Sequence, residues 1–172
     1  MIDGIVVKDI TRYPDERGFF NEILRFKDYT FFPQQASHGM RIAGVSNGWH
    51  IHQHLSEVFY VVTGSLRLVL KDCRTGSGVK TEFAYREPQK VFSVIYGQSS
   101  TPHEYMEIVM GEHVPNAVLI PHGVAHGYRI LSGPCHMIYF ASQAYDMSRN
   151  DEGRIEQDRW PGHDWTRGIE VR

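Results

Sequence analysis

Short apolar runs rich in β-branched and aromatic residues recur along the chain, and turn residues separate them. The runs lie at residues 4–10, 18–24, 40–45, 57–62, 65–71, 80–85, 89–95, 105–110, 117–120, 127–131 and 136–141. No apolar pattern with the 3.6-residue period of a helix extends far, and one helical turn is expected at 26–32 before Pro33. Short strands at this spacing, with 16 Gly and 8 Pro in the chain, predict an all-β sandwich or barrel.

The length and composition indicate one domain covering residues 1–172. A chain of 172 residues can bury its own core, and 41% hydrophobic with 22% charged residues is typical of a globular protein. We expect the polar sequence from about residue 146 to form a tail that wraps over this domain. A net charge of −2 disfavours nucleic acid or an anionic membrane as a partner. Cys73 and Cys135 predict no disulfide framework, and without a signal peptide or long apolar segment we expect a cytoplasmic protein.

The segment 44–64 carries the strongest chemical pattern. One residue separates His50 from His52, so an extended strand places both imidazoles on one face. Glu57 follows on the same or a neighbouring strand, which we expect to end at a turn formed by Thr63 and Gly64. The spacing Gly44-x5-His50-x-His52-x4-Glu57-x6-Gly64 resembles the first motif of the cupin superfamily, in which two His and one Glu bind a metal inside a small β-barrel.

A second segment, 121–126, resembles the second cupin motif, whose His completes the site. That residue is His126 here, although Ile130 stands where the motif has Asn and Pro115 where it has Gly. The two motifs together predict a cupin-type double-stranded β-helix, or jelly roll. Its metal ligands would be His50, His52, Glu57 and His126, with His54 able to replace one of the His. Imidazole and carboxylate ligands suit Zn, Ni, Fe, Mn or Cu, and the set alone does not choose among these metals.

Four further blocks resemble one family more closely, the dTDP-4-dehydrorhamnose 3,5-epimerases. The blocks are DERGFFNE at 15–22, NGWH at 47–50, IPHGVAHGYRIL at 120–131, and Ile138-Tyr139 together with NDEGRI at 150–155. The resemblance implies a homodimeric isomerase that binds a dTDP-4-keto-6-deoxyhexose and needs no cofactor. Such an enzyme epimerises a sugar by removing the acidic proton next to the ketone and returning a proton to the opposite face.

The resemblance also assigns roles to individual residues. For substrate binding it implies Arg17 as the diphosphate contact, Phe20 and Glu22 as contacts to the base, and Asn47 near the sugar. For catalysis it implies His50 as base, Tyr139 as general acid, Tyr145 as a second tyrosine of the site, and His126 with Asp72 as an auxiliary pair.

The reaction centre departs from the family at several positions. The family's enolate-stabilising Lys is Glu57 here, and its Arg near the substrate is Asn47. The family's C-terminal Asp, which orients the catalytic His, has no counterpart in the sequence that can be placed. Residues 75–100 are longer than usual and suggest an added hairpin or lid.

Those departures leave three interpretations open. A bound divalent metal could replace the missing Lys as a Lewis acid, but His50 cannot be both a metal ligand and a free base. The alternatives to an epimerase are a metal-dependent cupin enzyme of another class, such as a dioxygenase or small-ligand isomerase, and a non-catalytic cupin that binds a sugar nucleotide.

Overall fold

The computed structural model describes residues 2–74, 83–84, 93–94, 105–149, 151–158, 160 and 163–166. These residues form twelve strands: Val6–Asp9 (β1), Arg12–Asp15 (β2), Gly18–Asn21 (β3), Gln35–Arg41 (β4), Ser46–His52 (β5), Glu57–Asp72 (β6), Phe83–Ala84 (β7), Ser93–Val94 (β8), Met106–Gly111 (β9), Asn116–Ile120 (β10), Val124–Ala141 (β11) and Glu152–Arg154 (β12). Short 3₁₀ turns at Phe26–Asp28 and Met147–Arg149 are the helical elements of the described part, which confirms the all-β prediction.

Two long antiparallel strands, β6 and β11, form the centre of an eight-stranded sheet. The first half of β6 pairs with β10 and its second half with β9, whereas β11 pairs first with β5 and then with β4. Strand β1 continues the sheet beyond β10, and β12 continues it beyond β5. Strands β2 and β3 form a separate hairpin around residues 16–17. The expected strands at 80–85 and 89–95, and the longer segment 75–100, lie outside the described residues except for β7 and β8.

The expected turn at Thr63 and Gly64 is wrong, because β6 continues through these residues to Asp72. The pairing with β11 shifts register between Ser132 and His136, so both strands bend together there. Gly64 has φ +74°, and a Cβ atom on it would lie 2.7 Å from the carbonyl oxygen of Ser132. Glycine is therefore required at this position.

The bend changes which residues of β6 face the interior. Phe59 and Val61 belong to the main core cluster before Gly64, and Leu66, Leu68 and Leu70 belong to it afterwards. Odd positions therefore give way to even ones, as expected when one extra residue enters a strand. The three leucines are fully buried, and each contributes about 1.5–3 kcal/mol from removal of apolar surface from water.

The face of β5 away from the interior packs under the C-terminal residues. Trp49 and Ile51 are buried in a cluster with Val69, and Trp160 and Trp165 pack against it. Because alternate residues of a strand point to opposite faces, His50 and His52 turn toward the interior. The sheet thereby places a polar group of side chains at one end of an otherwise apolar core.

Within the described residues, no helix has the length and apolar character of a bilayer-spanning helix. The expected cytoplasmic location and the single-domain organisation stay predictions.

Candidate active site

A cavity of about 210 Å³ opens where β4, β5, β6 and β11 meet. Its wall contains the imidazoles of His50, His52 and His126 and the carboxylates of Glu57 and Glu152. The other polar groups in the wall belong to Arg41, Asn47, Tyr128 and Tyr139. Six residues expected from the sequence therefore come together in one cavity: Asn47, His50, His52, Glu57, His126 and Tyr139.

Glu57 lies between two of the histidines. Its Oε2 atom is 3.4 Å from Nε2 of His126 and 3.5 Å from Nε2 of His52. One ligand atom from each of these three residues falls within 4.8 Å of the others, and His50 is not part of this group. Burial alone would raise the pKa of Glu57, but hydrogen bonding to His126 and His52 outweighs burial and holds that pKa well below its ordinary value.

The Nδ1 atoms of the same two histidines point away from Glu57 toward acceptors. His126 donates its Nδ1–H to the carbonyl oxygen of Val124 at 3.3 Å, and Nδ1 of His52 faces Oδ2 of Asp151 at 3.6 Å. Burial lowers the pKa of His52, but the carboxylates of Asp151 and Glu57 have the larger, opposite effect. The net result is a pKa raised to about 9. Asp151 is itself fixed by the backbone N–H groups of His54 and Leu55.

His50 has a different environment. Its Nδ1 atom lies 3.5 Å from Oε1 of Glu152, a residue of β12, the strand that pairs with β5. Burial lowers the pKa of His50 to about 4, and repulsion by His126 adds to this effect against the opposing attraction of Glu152. The imidazole of His50 is therefore neutral at pH 7 and able to accept a proton.

Tyr139 lies in the same cavity on the second half of β11. Its ring contacts Phe59 edge to face, with the ring centroids 4.7 Å apart. Burial raises the pKa of Tyr139 strongly, and the neighbouring phenol of Tyr128 raises it further. Tyr128 in turn accepts a hydrogen bond of 3.1 Å from Nδ2 of Asn47. Tyr139 is thus a phenol that keeps its proton until another group takes it.

Several predicted site residues lie outside this cavity. Asp72 does not pair with His126, because its carboxylate accepts hydrogen bonds of 2.8 Å from Arg74, and Glu57 is the carboxylate beside His126. Tyr145 is 66% exposed, and its backbone N–H donates to Gln35.

The three residues expected to bind the nucleotide are also away from the cavity of their own chain. The side chain of Arg17 is 81% exposed and pairs with Asp15. Phe20 is 61% exposed on the β2–β3 hairpin, and Glu22 pairs with Arg25.

Four residues that line the cavity or contact its histidines were not predicted from the sequence: Arg41, Tyr128, Asp151 and Glu152. Asp151 and Glu152 belong to a block already recognised as family-like, so a search of that block for carboxylates could have found them. Tyr128 stands two residues after His126, on the same face of a strand. No sequence signal marks Arg41, which reaches the cavity through the pairing of β4 with β11.

Comparison with known proteins places this architecture in context. No protein-family model matches the chain. The chain is 35% identical over 169 residues to the spore coat polysaccharide biosynthesis protein SpsL of Bacillus subtilis, covering 96% of this chain and 97% of that protein. It is 26% identical over 161 residues to a probable low-salt glycan biosynthesis epimerase, Agl13, of Haloferax volcanii, covering 91% and 89% of the two chains.

Among solved structures, the chain resembles a dTDP sugar isomerase from Desulfovibrio desulfuricans G20. The TM-score is 0.75 at 17% identity, with 99% of this chain and 95% of that chain covered. This likeness confirms the predicted cupin-type jelly roll. The 35% identity to SpsL over almost the whole of both chains, together with the match to the probable epimerase Agl13, confirms the predicted family and its enzyme class. The chain belongs to the dTDP-4-dehydrorhamnose 3,5-epimerase-like family of sugar epimerases and isomerases.

Proposed function

We propose that the protein epimerises or isomerises a nucleotide-linked 4-keto-6-deoxy sugar, with His50 as base and Tyr139 as acid. The observation that carries the proposal is that a neutral imidazole and a protonated phenol, from different strands, face one cavity. A base that is free of its proton and an acid that retains its own are the two groups that such a reaction needs. Relatives named for polysaccharide biosynthesis and for a glycan epimerase support a sugar substrate.

The reaction begins at a carbon next to the ketone. His50 takes the proton from this carbon, and the electron pair of the C–H bond moves through the new C=C bond onto the ketone oxygen, giving an enolate. Tyr139 then donates its proton to the opposite face of the carbon, which restores the ketone with inverted configuration. His50 and Tyr139 return to their starting protonation states by exchange with water. Glu152 orients the imidazole of His50 by facing its Nδ1 atom, and the hydroxyl of Tyr139 donates a weak hydrogen bond of 3.6 Å to the sulfur of Met137.

We propose that a second copy of the chain completes the part of the site that binds the nucleotide. Tyr13, Phe19 and Phe20 of the β2–β3 hairpin are 52–61% exposed, and Arg17 extends from the same hairpin. Aromatic rings and a guanidinium that can bind a diphosphate in bidentate fashion suit the base and diphosphate of a dTDP-sugar. In a homodimer this hairpin would serve the cavity of the partner, and sedimentation at micromolar concentration tests for that dimer.

Deuterium exchange tests the chemistry directly. The protein is incubated in D₂O with dTDP-4-keto-6-deoxy-D-glucose, and mass spectrometry follows uptake at the carbons beside the ketone. We expect exchange by the parent protein and a loss of about 10²–10⁴-fold in His50→Gln, the range for removal of a general base. His54→Gln is the matched control, because His54 belongs to the same motif but is exposed and lies outside the cavity. Absence of exchange in the parent, or equal exchange in His50→Gln, would contradict the proposal.

A metal centre is the second candidate, favoured by the convergence of His52, Glu57 and His126. Ligand atoms about 2.1 Å from a tetrahedral ion lie about 3.4 Å apart, which agrees with the observed separations of 3.4 and 3.5 Å. Both histidines direct Nδ1 to an acceptor and Nε2 to the common point, as metal-bound histidines do. The three residues therefore fit a divalent transition metal, which when bound would supply a Lewis acid. His50 lies outside this group, so a metal and a free base are compatible here.

Metal analysis tests the second candidate without reference to activity. Protein purified without chelator or affinity tag should contain about one Zn, Ni, Fe, Mn or Cu ion per chain. Adding the metal back to chelated protein should raise the melting temperature of the parent and not that of His52→Gln. Parent protein that neither contains a metal nor gains stability from one has only a His–carboxylate network at this position.

A further inference from the structure

We propose that Arg41 stabilises the enolate oxygen, an inference that rests on the proton transfer proposed above. A developing enolate is stabilised by hydrogen-bond donors or positive charge close to its oxygen, and a guanidinium supplies both. Glu57 occupies the position of the family's Lys and carries the wrong sign for this task. Among the described residues that line the cavity, Arg41 is the one Lys or Arg.

Strand pairing directs Arg41 into the cavity. Arg41 lies opposite Cys135 and Gly39 lies opposite Met137 in the antiparallel pairing of β4 with β11. Residues directly opposite each other in such a pair point to the same face of the sheet. Cys135 and Met137 are fully buried in the interior cluster, so Arg41 and Gly39 belong to the interior face as well.

Gly39 leaves the space that Arg41 and Tyr139 share. A Cβ atom on Gly39 would lie 3.3 Å from Oη of Tyr139 and 3.7 Å from Nη1 of Arg41. The guanidinium and the phenol are therefore neighbours, and the positive charge of Arg41 lowers the pKa of Tyr139 against the larger effect of burial. One N–H of Arg41 donates to the carbonyl oxygen of Met40 at 2.8 Å. A guanidinium carries five N–H donors, so others remain for a ligand.

The distribution of charge around the cavity then fixes how the sugar lies. The carboxylates Glu57 and Glu152 stand with the histidines on the side formed by β5, the start of β6 and β12. On that side the imidazoles of His52 and His126 lie 3.5 and 3.4 Å from Glu57, and Arg154 pairs with Glu152, so the carboxylates already have partners, whereas the guanidinium of Arg41 attracts negative charge that develops on the ketone oxygen. The oxygen therefore points to β4, which turns the acidic C–H bond toward His50. When the C–H bond breaks, the proton goes to His50 and the electron pair ends on the oxygen beside Arg41.

The test compares Arg41→Met and Arg41→Lys with Arg129→Met. Arg129 is a matched control because it is also half-buried, donates to Ser46, and lies outside the cavity. Deuterium uptake into dTDP-4-keto-6-deoxy-D-glucose is measured on chelator-treated protein, after thermal unfolding has shown that each variant folds. We expect kcat for exchange to fall about 10²–10³-fold in Arg41→Met, with KM changed less than about threefold, and Lys to restore part of the loss. Arg129→Met should stay within about threefold of the parent.

The outcomes separate this inference from the proposed function. A parent protein that exchanges no deuterium refutes the proposed function. A parent that exchanges, with Arg41→Met and Arg41→Lys both matching it, overturns the role of Arg41 alone. Exchange that vanishes on chelation, returns with zinc and is equal in the parent and both Arg41 variants also overturns it, because the metal would then serve the oxygen. If Arg41→Met does not fold, Arg41→Gln takes its place as the variant without the positive charge. The inference is then overturned if Arg41→Lys exchanges deuterium no faster than Arg41→Gln.

Discussion

Replacement of Glu57 by Gln removes the negative charge between His52 and His126 and keeps the shape of the side chain. Glu57 is 15% exposed, and the side chains of His52 and His126 are 11% and 5% exposed. In the chelator-treated parent, the carboxylate compensates for the burial of both imidazoles. In Glu57→Gln that compensation is absent, while the packing around the side chain is retained.

The two contacts of Glu57 set the loss of unfolding free energy in Glu57→Gln. A hydrogen bond to a charged group contributes about 1.5–3 kcal/mol, and both distances, 3.4 and 3.5 Å, exceed the usual range. Taking about 1.5 kcal/mol for each contact gives about 3 kcal/mol, which is the lower end for breaking a buried ion pair. For a chain of 172 residues, this corresponds to a fall of about 6–12 °C in the melting temperature.

Urea unfolding of chelator-treated protein measures this difference without any contribution from a bound metal. The control is Glu112→Gln, because Glu112 also faces an imidazole, that of His113, at 3.5 Å. That pair is exposed, at 40% for Glu112 and 89% for His113, so its loss should cost about 0–1 kcal/mol. Equal losses of stability in the two variants would refute the reasoning, since burial is the feature that distinguishes the pairs.

The packing around the cavity determines how Tyr139, Gly39 and Gly127 respond to titration or substitution. Burial, and after it Tyr128, raises the pKa of Tyr139, so this phenol should stay protonated below about pH 10. Tyrosinate absorbance of the parent and of Tyr139→Phe should therefore be equal up to that pH. Additional tyrosinate in the parent below about pH 10 would contradict this prediction. Gly39→Ala should lower the rate of deuterium exchange about tenfold, since its Cβ would lie 3.2 Å from the ring of Tyr139; an unchanged kcat would show that the ring can yield. Gly127→Ala should destabilise the fold by about 2 kcal/mol in urea unfolding, because its Cβ would lie 2.5 Å from Trp165 and 2.9 Å from the backbone; an unchanged midpoint would count against this packing.

The sequence alone was sufficient to predict the fold class and which histidines and carboxylate meet in the cavity. Alternation with period two is a local property of a strand, so the common face of His50 and His52 was predictable without coordinates. The motif spacing likewise brought Glu57 and His126 to the same place. These positions depend on strand order within a recognised fold, and the structure reproduces them.

Contacts between distant strands decided what each of those residues does. His50 stands apart from the group formed by His52, Glu57 and His126. Its Nδ1 atom faces Glu152 instead, a residue 102 positions away that reaches it through the pairing of β12 with β5. The partner of His126 proved to be Glu57 rather than Asp72, because Arg74 neutralises Asp72. Such pairings cannot be predicted from a local sequence pattern, because each depends on the register between strands that are distant in the sequence.

The bend at Gly64 shows the same division between local and tertiary information. Thr-Gly is a turn signal in the sequence, yet β6 continues because β11 bends beside it and shares the register shift. The sequence determined that the chain is β-rich, that it carries the cupin histidines and that it resembles sugar epimerases. Tertiary structure decided that Arg41 enters the cavity and that His50 is separate from the candidate metal ligands, because both depend on which strands lie side by side.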